Sequence, residues 1–343
     1  MARESEKNKQ ISLQIEEWFS KSSRDLPWRS DDFPWGRLVS EFMAQQTQIS
    51  RVAERWPEMM RRFPTPASMA KADEQDVLSL WQGLGYYRRA KYLKKAAEGI
   101  VSEFGGEVPS AIDDLLSLQG IGKYTAGAIA SMAFGKREPL VDANVHRVLC
   151  RLWNHKGEPS PTSWTWERAE ELVAQCNSPK LFNEGLMEFG ATICAKKPSC
   201  KECPLNKQCE AFTAGSQCEV PTPKQATKKK KVFHYAVVFE CNGELAFEQR
   251  SESGLWAGMW QVPTIDSDIE LSENEVLNQL KIRGPLKQIG SFEHLLSHRS
   301  ISFTVFSCNG SRDPDYSWFT RRTLLELPLA SAQRKVLALH CTT

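Results

Sequence analysis

A chain of 343 residues is longer than one typical hydrophobic core and reads as two domains. With 41% hydrophobic residues, 11 Trp and 16 Phe it has ample apolar surface to bury, which excludes wholesale disorder. The net charge of +2 hides an asymmetry: residues 1–231 carry 34 Lys and Arg against 29 Asp and Glu, the remainder 10 against 13. No apolar run approaches the roughly 18–20 residues that cross a bilayer, and the charged start Met1–Gln10 leads into no signal-peptide core. A soluble, intracellular, cytoplasmic protein without a membrane partner is therefore expected.

Residues 11–213 read as helix after helix. Ile11, Leu13, Ile15, Trp18 and Phe19 mark one apolar face, and Val77, Leu78, Leu80 and Trp81 another. Pro64, Pro66, Gly105-Gly106, Pro109, Pro159 and Pro161 punctuate the series. Glu41 lies in Val39-Ser-Glu-Phe-Met-Ala-Gln-Gln-Thr-Gln48, where apolar neighbours can keep its carboxyl protonated as a general acid. In Leu118-Gln-Gly-Ile-Gly-Lys-Tyr-Thr-Ala126, Gly120 and Gly122 separate one helical segment from the next, over Thr125–Ala133. Such a Gly-x-Gly is either a plain turn or, with Lys123 beside it, a phosphate site at a helix start. Asp142 follows Pro139-Leu-Val and precedes a helix, so on composition alone it reads first as a helix cap.

Four of the ten cysteines, Cys194, Cys200, Cys203 and Cys209, fall within sixteen residues. An intracellular chain of this size needs no disulfides, so the cluster reads as metal ligation, and one compact run of four suits a [4Fe–4S] cluster better than zinc. Lys196, Lys197, Lys201 and Lys207 make the same loop basic. Residues 214–231, ending in four lysines, read as a linker. Beyond it Val232–Glu240 has strand composition, Asn242-Gly243 is a hairpin signal, and Leu245–Gln249 returns as a strand. Ile301–Ser307 alternates, Trp318-Phe319 suggests a further strand, and residues 273–282 and 334–340 look helical. Residues 232–343 thus form an α+β domain.

Taken together and in order, Leu26-Pro-Trp-Arg29, Ser40–Gln48, Gly83-Leu-Gly-Tyr-Tyr-Arg-Arg-Ala90, the 118–126 hairpin, Val141–Arg147, Phe182-Asn-Glu184 and the four cysteines resemble the helix-hairpin-helix base-excision glycosylases. The likeness is closest to the adenine DNA glycosylases of the MutY type. It implies a multidomain protein: an all-α helix-hairpin-helix glycosylase domain (1–213) of two modules with an iron–sulfur cluster loop (194–209), then a Nudix-like domain. The implied partner is double-stranded DNA with adenine opposite 8-oxoguanine or guanine, bound by a monomer. Glu41 would protonate adenine at N7 and Asp142 would stabilise the oxocarbenium-like sugar, after the base is flipped from the duplex. Bifunctional relatives of the endonuclease III type hold a Schiff-base lysine where this chain has Tyr124. Lys123, one residue earlier, is turned about 100° away on a helix, which implies a monofunctional enzyme.

The resemblance also assigns Arg24, Leu26, Trp28, Arg29 and Glu184 to the adenine pocket, and Asn144 to orienting water or Asp142. Gln46 and Tyr86 would enter the duplex around the orphaned base. Read without it, Trp28 is core, Arg29 a surface pair and Tyr86 packing. In the second domain Arg250–Pro263 and Phe292–His298 match the 8-oxoguanine-recognition domain, with Ser297 and His298 at the damaged base. No dense set of metal-binding glutamates argues for hydrolysis of free nucleotides. Three departures stand out: one residue fewer between Cys194 and Cys200 than is usual, Gln119 in place of proline, and Leu296 in place of phenylalanine. The competing readings are a thymine or uracil mismatch glycosylase and a non-catalytic iron–sulfur lesion-binding scaffold.

Overall fold

The computed structural model describes residues 2–29, 33–224, 228–281 and 285–341. These fall into two compact units, Met1–Lys71 with Tyr92–Gln225 and Ala72–Lys91 with Ala226–Thr343. Among the described residues twelve α-helices precede the first strand: α1 (Ala2–Ser22), α2 (Pro34–Ala44), α3 (Ile49–Arg62), α4 (Pro66–Ala70), α5 (Glu74–Leu80), α6 (Arg88–Glu103), α7 (Ile112–Ser117), α8 (Lys123–Met132), α9 (Ala143–Leu152), α10 (Ser163–Gln175), α11 (Pro179–Thr192) and α12 (Glu210–Thr213). Among the described residues no strand precedes Lys230 and no helix is long and apolar enough to cross a membrane. The all-α first part is as the proline and glycine punctuation implies.

The first unit has a core in which Ile11 and Ile15 of α1 meet Val145, Val148 and Leu149 of α9, Leu172 and Val173 of α10 and Phe182, Leu186 and Phe189 of α11. Gly185 allows α11 to lie against α1, since a Cβ there would stand 2.9 Å from both Ile15 and Phe19 side-chain atoms. Helix α2 is apolar on every side and buried along nearly its whole length. Its two charged side chains, Arg37 and Glu41, are thereby drawn inside with it.

Among the described residues the second unit holds seven strands: β1 (Lys230–Cys241), β2 (Glu244–Gln249), β3 (Trp260–Gln261), β4 (Thr264–Ser267), β5 (Lys287–Leu295), β6 (Arg299–Asn309) and β7 (Ser317–Thr320). The order is β3-β2-β1-β6-β5, with β4 on β1 and β7 on β2. Among the described strands only β1 and β6 pair in parallel, from Lys230 opposite Arg299 to Glu240 opposite Asn309. Alternation along β1 sends Ala236 and Val238 to one face and Tyr235, Val237 and Phe239 to the other. Ala332 and Val336 of α14 (Ser331–Cys341) cover the first face, and Val276 of α13 (Glu273–Leu280) the second. Asn242 (φ 51°) and Gly243 (φ 79°) both adopt the left-handed conformation of a two-residue hairpin turn.

Three features depart from the composition. Lys230 and Lys231, read as linker, are the first residues of β1, their backbone paired with Arg299 and Ser300. The start of the same stretch is packed: Val220 is buried, its carbonyl accepts from Arg151, and the Ser216 hydroxyl donates to Asn154 at 2.6 Å. Strand β5 was not evident because its register slips between Gln288 and Gly290, which breaks the alternation. Residues 72–91, which lie inside the expected helical domain, pack with the second unit.

Candidate active site

Arg37 and Glu41 stand one turn apart on α2. The Glu41 carboxylate, 5% exposed, accepts a 2.9 Å hydrogen bond from the hydroxyl of Tyr124 in the first turn of α8. Burial pushes the Glu41 carboxyl upward. Arg37 and the Tyr124 hydroxyl oppose this, and the like charges of Glu184 and Asp142 add to it. The Tyr124 phenol is pushed well above its ordinary value by burial and by Glu41 and Asp142, so it stays a neutral donor. The structure therefore brings Glu41, Tyr124 and Asp142 into one electrostatic site, which sequence spacing does not reveal.

Asp142 is the N-cap of α9, as its composition suggests, and it does more than cap. One carboxylate oxygen accepts from the Val145 N–H at 2.7 Å, the other from the Asn144 side-chain amide at 2.9 Å. Burial still dominates and raises the Asp142 carboxyl, against those hydrogen bonds and Arg147. Arg147 fixes Asn144 by donating to its side-chain oxygen at 2.9 Å, and also donates to the carbonyls of Gly190 (2.8 Å) and Cys194 (2.9 Å). The chain enters Asp142 through buried Leu140 and Val141, directly beneath α8. Here Gly127 is essential for close approach: a Cβ would lie 2.1 Å from the Pro139 carbonyl oxygen, and backbone cannot swing away as a side chain can. Gly127→Ala is expected to cost about 1–3 kcal/mol in urea unfolding, as overpacking does. Unchanged stability would show that Pro139 and Asp142 are not held by this contact.

A lattice of opposite charges adjoins the acids. Glu184 and Glu188 are one turn apart on α11. Glu184 receives Arg37 at 2.5 Å and lies 3.2 Å from Arg29; Glu188 receives Arg24 at 2.5 and 2.8 Å and Arg29 at 3.0 Å. Burial would raise the Glu188 carboxyl, but Arg24 and Arg29 together hold it below the usual range. Arg24, Arg29 and Glu184, chosen from the sequence, are thus joined in one network. Arg37 and Glu188 were missed, although the spacings Arg37-x3-Glu41 and Glu184-x3-Glu188 were a usable signal. Leu26 and Trp28 are buried, and Trp28 packs edge-on to Trp56 at 6.3 Å between ring centres.

Gln46 is exposed in the turn after α2, with φ at 54°. In the hairpin, Gly120 needs its freedom: φ is 88°, and a Cβ would stand 2.6 Å from that of Tyr92. Gly122, expected to share the turning role, has an ordinary φ of −99° and open space at its Cβ position, so that part of the expectation is corrected. Lys123 is exposed, its ammonium 4.2 Å from the centre of the Trp166 ring.

In the second unit Tyr86 is 46% exposed with φ at 46°, and its hydroxyl hydrogen-bonds the Ser297 hydroxyl. Ser297 and His298 are exposed at the tip joining β5 to β6. Leu296 turns its side chain partly into the sheet core and its N–H donates to Arg299 at 2.9 Å.

Cys194, Cys200, Cys203 and Cys209 are partly buried free thiols that line one cavity with Arg151, Ile193, Pro198 and Phe212. Burial pushes Cys203 up to about 12 and raises Cys200 and Cys209, with neighbouring cysteines adding to each. Among the described residues no three His, Cys, Asp or Glu side chains gather tightly enough for a single metal ion. The four surrounding lysines, Lys196, Lys197, Lys201 and Lys207, are exposed.

Comparison with known proteins agrees with both units. Residues 39–175 match the HhH-GPD superfamily of base excision DNA repair proteins and residues 234–339 the NUDIX domain. A solved thermostable thymine-DNA glycosylase is similar at 30% identity and a TM-score of 0.55, over 61% of this chain and 98% of that one. The human adenine DNA glycosylase is 31% identical over 396 residues, 94% of this chain and 72% of the relative. That of Buchnera aphidicola is 30% identical over 342 residues, 95% of this chain and 97% of the relative. With a helical repair unit, a Nudix-like sheet unit and nearly its whole length matched to these proteins, the chain belongs to the adenine DNA glycosylase family.

Proposed function

We propose that this protein is a monofunctional adenine DNA glycosylase of base excision repair, acting on adenine opposite 8-oxoguanine or guanine in duplex DNA. The observation that carries the chemistry is the pair of acids Glu41 and Asp142, each raised by burial and each held by a side-chain hydrogen bond, Glu41 by the Tyr124 hydroxyl and Asp142 by the Asn144 amide. Glu41 holds a proton in apolar surroundings and delivers it to adenine N7. The C1′–N9 bond then breaks, its electron pair leaving with the base. Asp142, ionised, faces the cationic sugar until water adds at C1′ and loses a proton, which leaves an abasic site and free adenine. Arg24, Leu26, Trp28, Arg29 and Glu184 form the base pocket, and Gln46 and Tyr86 enter the duplex beside the partner base. Their left-handed backbones place both residues in exposed, sparsely populated conformations of the kind found at functional sites. Ser297 and His298 contact the 8-oxoguanine.

The four cysteines fit an iron–sulfur cluster. They line one cavity, and four thiols supplied by a single compact run suit a polynuclear group better than zinc. Cys194, Cys200, Cys203 and Cys209 would hold such a [4Fe–4S] group, which would cross-link the basic loop that carries them. Iron and acid-labile sulfide in the purified protein are the expected finding, and zinc without iron would overturn the assignment.

Base choice and reaction type are tested in one experiment. Duplexes holding adenine, thymine or uracil opposite guanine or 8-oxoguanine are incubated with the protein, then analysed with and without alkali. Cleavage at adenine only, and only after alkali, is expected. Strand breaks without alkali would overturn the reading of Tyr124, and thymine or uracil release would favour the mismatch alternative. The second unit argues against that alternative, because the similar thymine-DNA glycosylase matches only 61% of this chain.

A further inference from the structure

Glu41 shares its helix with a buried cation. Arg37 stands one turn earlier on α2, on the same face, and both side chains are inside the protein. A charge so deeply buried is held only by partners, and Arg37 has the Glu184 carboxylate of α11 at 2.5 Å. That pair does not exhaust a guanidinium with five N–H donors, and the positive field of Arg37 reaches Glu41 and the Tyr124 hydroxyl as well. The other groups that face Glu41 are neutral or negative. Tyr124 donates from α8 at 2.9 Å, while Asp142 at the head of α9 and Glu184 act as like charges. From the short turn Pro27–Arg29, Arg29 pairs with Glu184 and Glu188, and on α3 the charges pair with one another, Arg51 with Glu54 and Arg55 with Glu58. Arg37 is thus the cation that acts most strongly on Glu41.

We propose that Arg37 is a positioning residue for the proton on Glu41: its guanidinium, shared between Glu184 and Glu41, stabilises the carboxylate that Glu41 becomes when its proton passes to the base. Before the transfer Glu41 is neutral and Arg37 is balanced by Glu184. The transfer leaves a further carboxylate beside Asp142 and Glu184 in a buried site, where repulsion between like charges is strong. A cation already in place offsets that repulsion, and no side chain has to move at the moment of reaction. Arg37 thereby sets how readily Glu41 releases its proton, which a residue that only packs or only holds Glu184 does not do. The inference rests on the glycosylase reading.

The test is the pH profile of single-turnover excision by the full chain, at saturating protein, on a duplex with one adenine opposite 8-oxoguanine. Arg37→Met removes the cation that favours ionised Glu41, so Glu41 keeps its proton to higher pH. The alkaline limb is expected to move upward by at least about one pH unit, the effect of losing one opposite charge at close range. The plateau rate should fall about three- to ten-fold, because a weaker acid transfers its proton more slowly. Arg37→Lys keeps the charge and should return the limb close to that of the parent. Glu184 retains Arg29 at 3.2 Å in these variants. Should Arg37→Met nevertheless fail to fold, both charges are removed together: Arg37→Met in a Glu184→Gln background orphans no partner, and its limb should stand above that of Glu184→Gln alone. A limb that stays in place when Arg37 is replaced, in either background, assigns Arg37 to structure and overturns the proposal, whatever the loss of rate. No excision by the unaltered chain would contradict the glycosylase reading itself, a result distinct from excision whose alkaline limb ignores Arg37.

Discussion

Glu41→Gln is expected to lower the single-turnover excision rate by about 10²–10⁴-fold, the usual contribution of a positioned general acid, while leaving the protein folded. The stability arm follows from the direction of the Glu41 shift. Burial raises its carboxyl, so above the ordinary carboxylate range the folded state binds more protons than the unfolded chain. Stability is then lost as pH rises from the ordinary value through the raised one. Glutamine is neutral throughout that window and can still accept from Tyr124, so the variant should melt at the same temperature or higher at neutral pH. Arg37 keeps a partner, because Glu184 holds it at 2.5 Å. In the unaltered protein the chemical step should fall off on the alkaline side as Glu41 ionises. A variant that excises normally, or that melts well below the parent, would remove Glu41 from the acid role.

Asp142 separates chemistry from capping. Asp142→Asn preserves an N-cap, since Asn caps nearly as well as Asp, but removes the charge that faces the developing sugar cation. Excision should fall by at least about 10²-fold, as when one preorganised electrostatic partner is lost, with duplex affinity retained. Asp142→Ala loses the charge and the 2.7 Å bond to Val145, and should additionally cost about 1 kcal/mol of stability. Equal excision by Asp142→Asn and the parent would leave Asp142 as a cap alone. Thermal melting of the two variants side by side reads the second component independently of activity.

What was legible in the sequence depended on how local its cause was. The Asn242-Gly243 hairpin, the β-branched run of β1 and the apolar face of α1 are each decided within a few residues, and each is found where composition places it. The cysteine run is equally local. The charge lattice is not: Arg37 meets Glu184 across 147 positions and Arg24 meets Glu188 across 164, and nothing beside either residue announces its partner. Gly127 and Gly190 look like ordinary helical glycines until α8 is placed on Pro139 and α11 on Asn144. Lys230 and Lys231 show the reverse case, a charged composition overruled by backbone pairing with β6. Asp142 stood between two readings because its carboxylate caps α9 and also lies within electrostatic reach of Glu41, a proximity only the fold creates.

The central claim is that Glu41 and Asp142 release adenine from damaged duplexes. It is tested most directly by incubating the protein with a duplex containing one adenine opposite 8-oxoguanine and identifying the released base by mass. Stoichiometric free adenine and an abasic site that breaks only in alkali are the expected result. Tight binding of that duplex with no base released would contradict the account, leaving a lesion-binding protein in place of an enzyme.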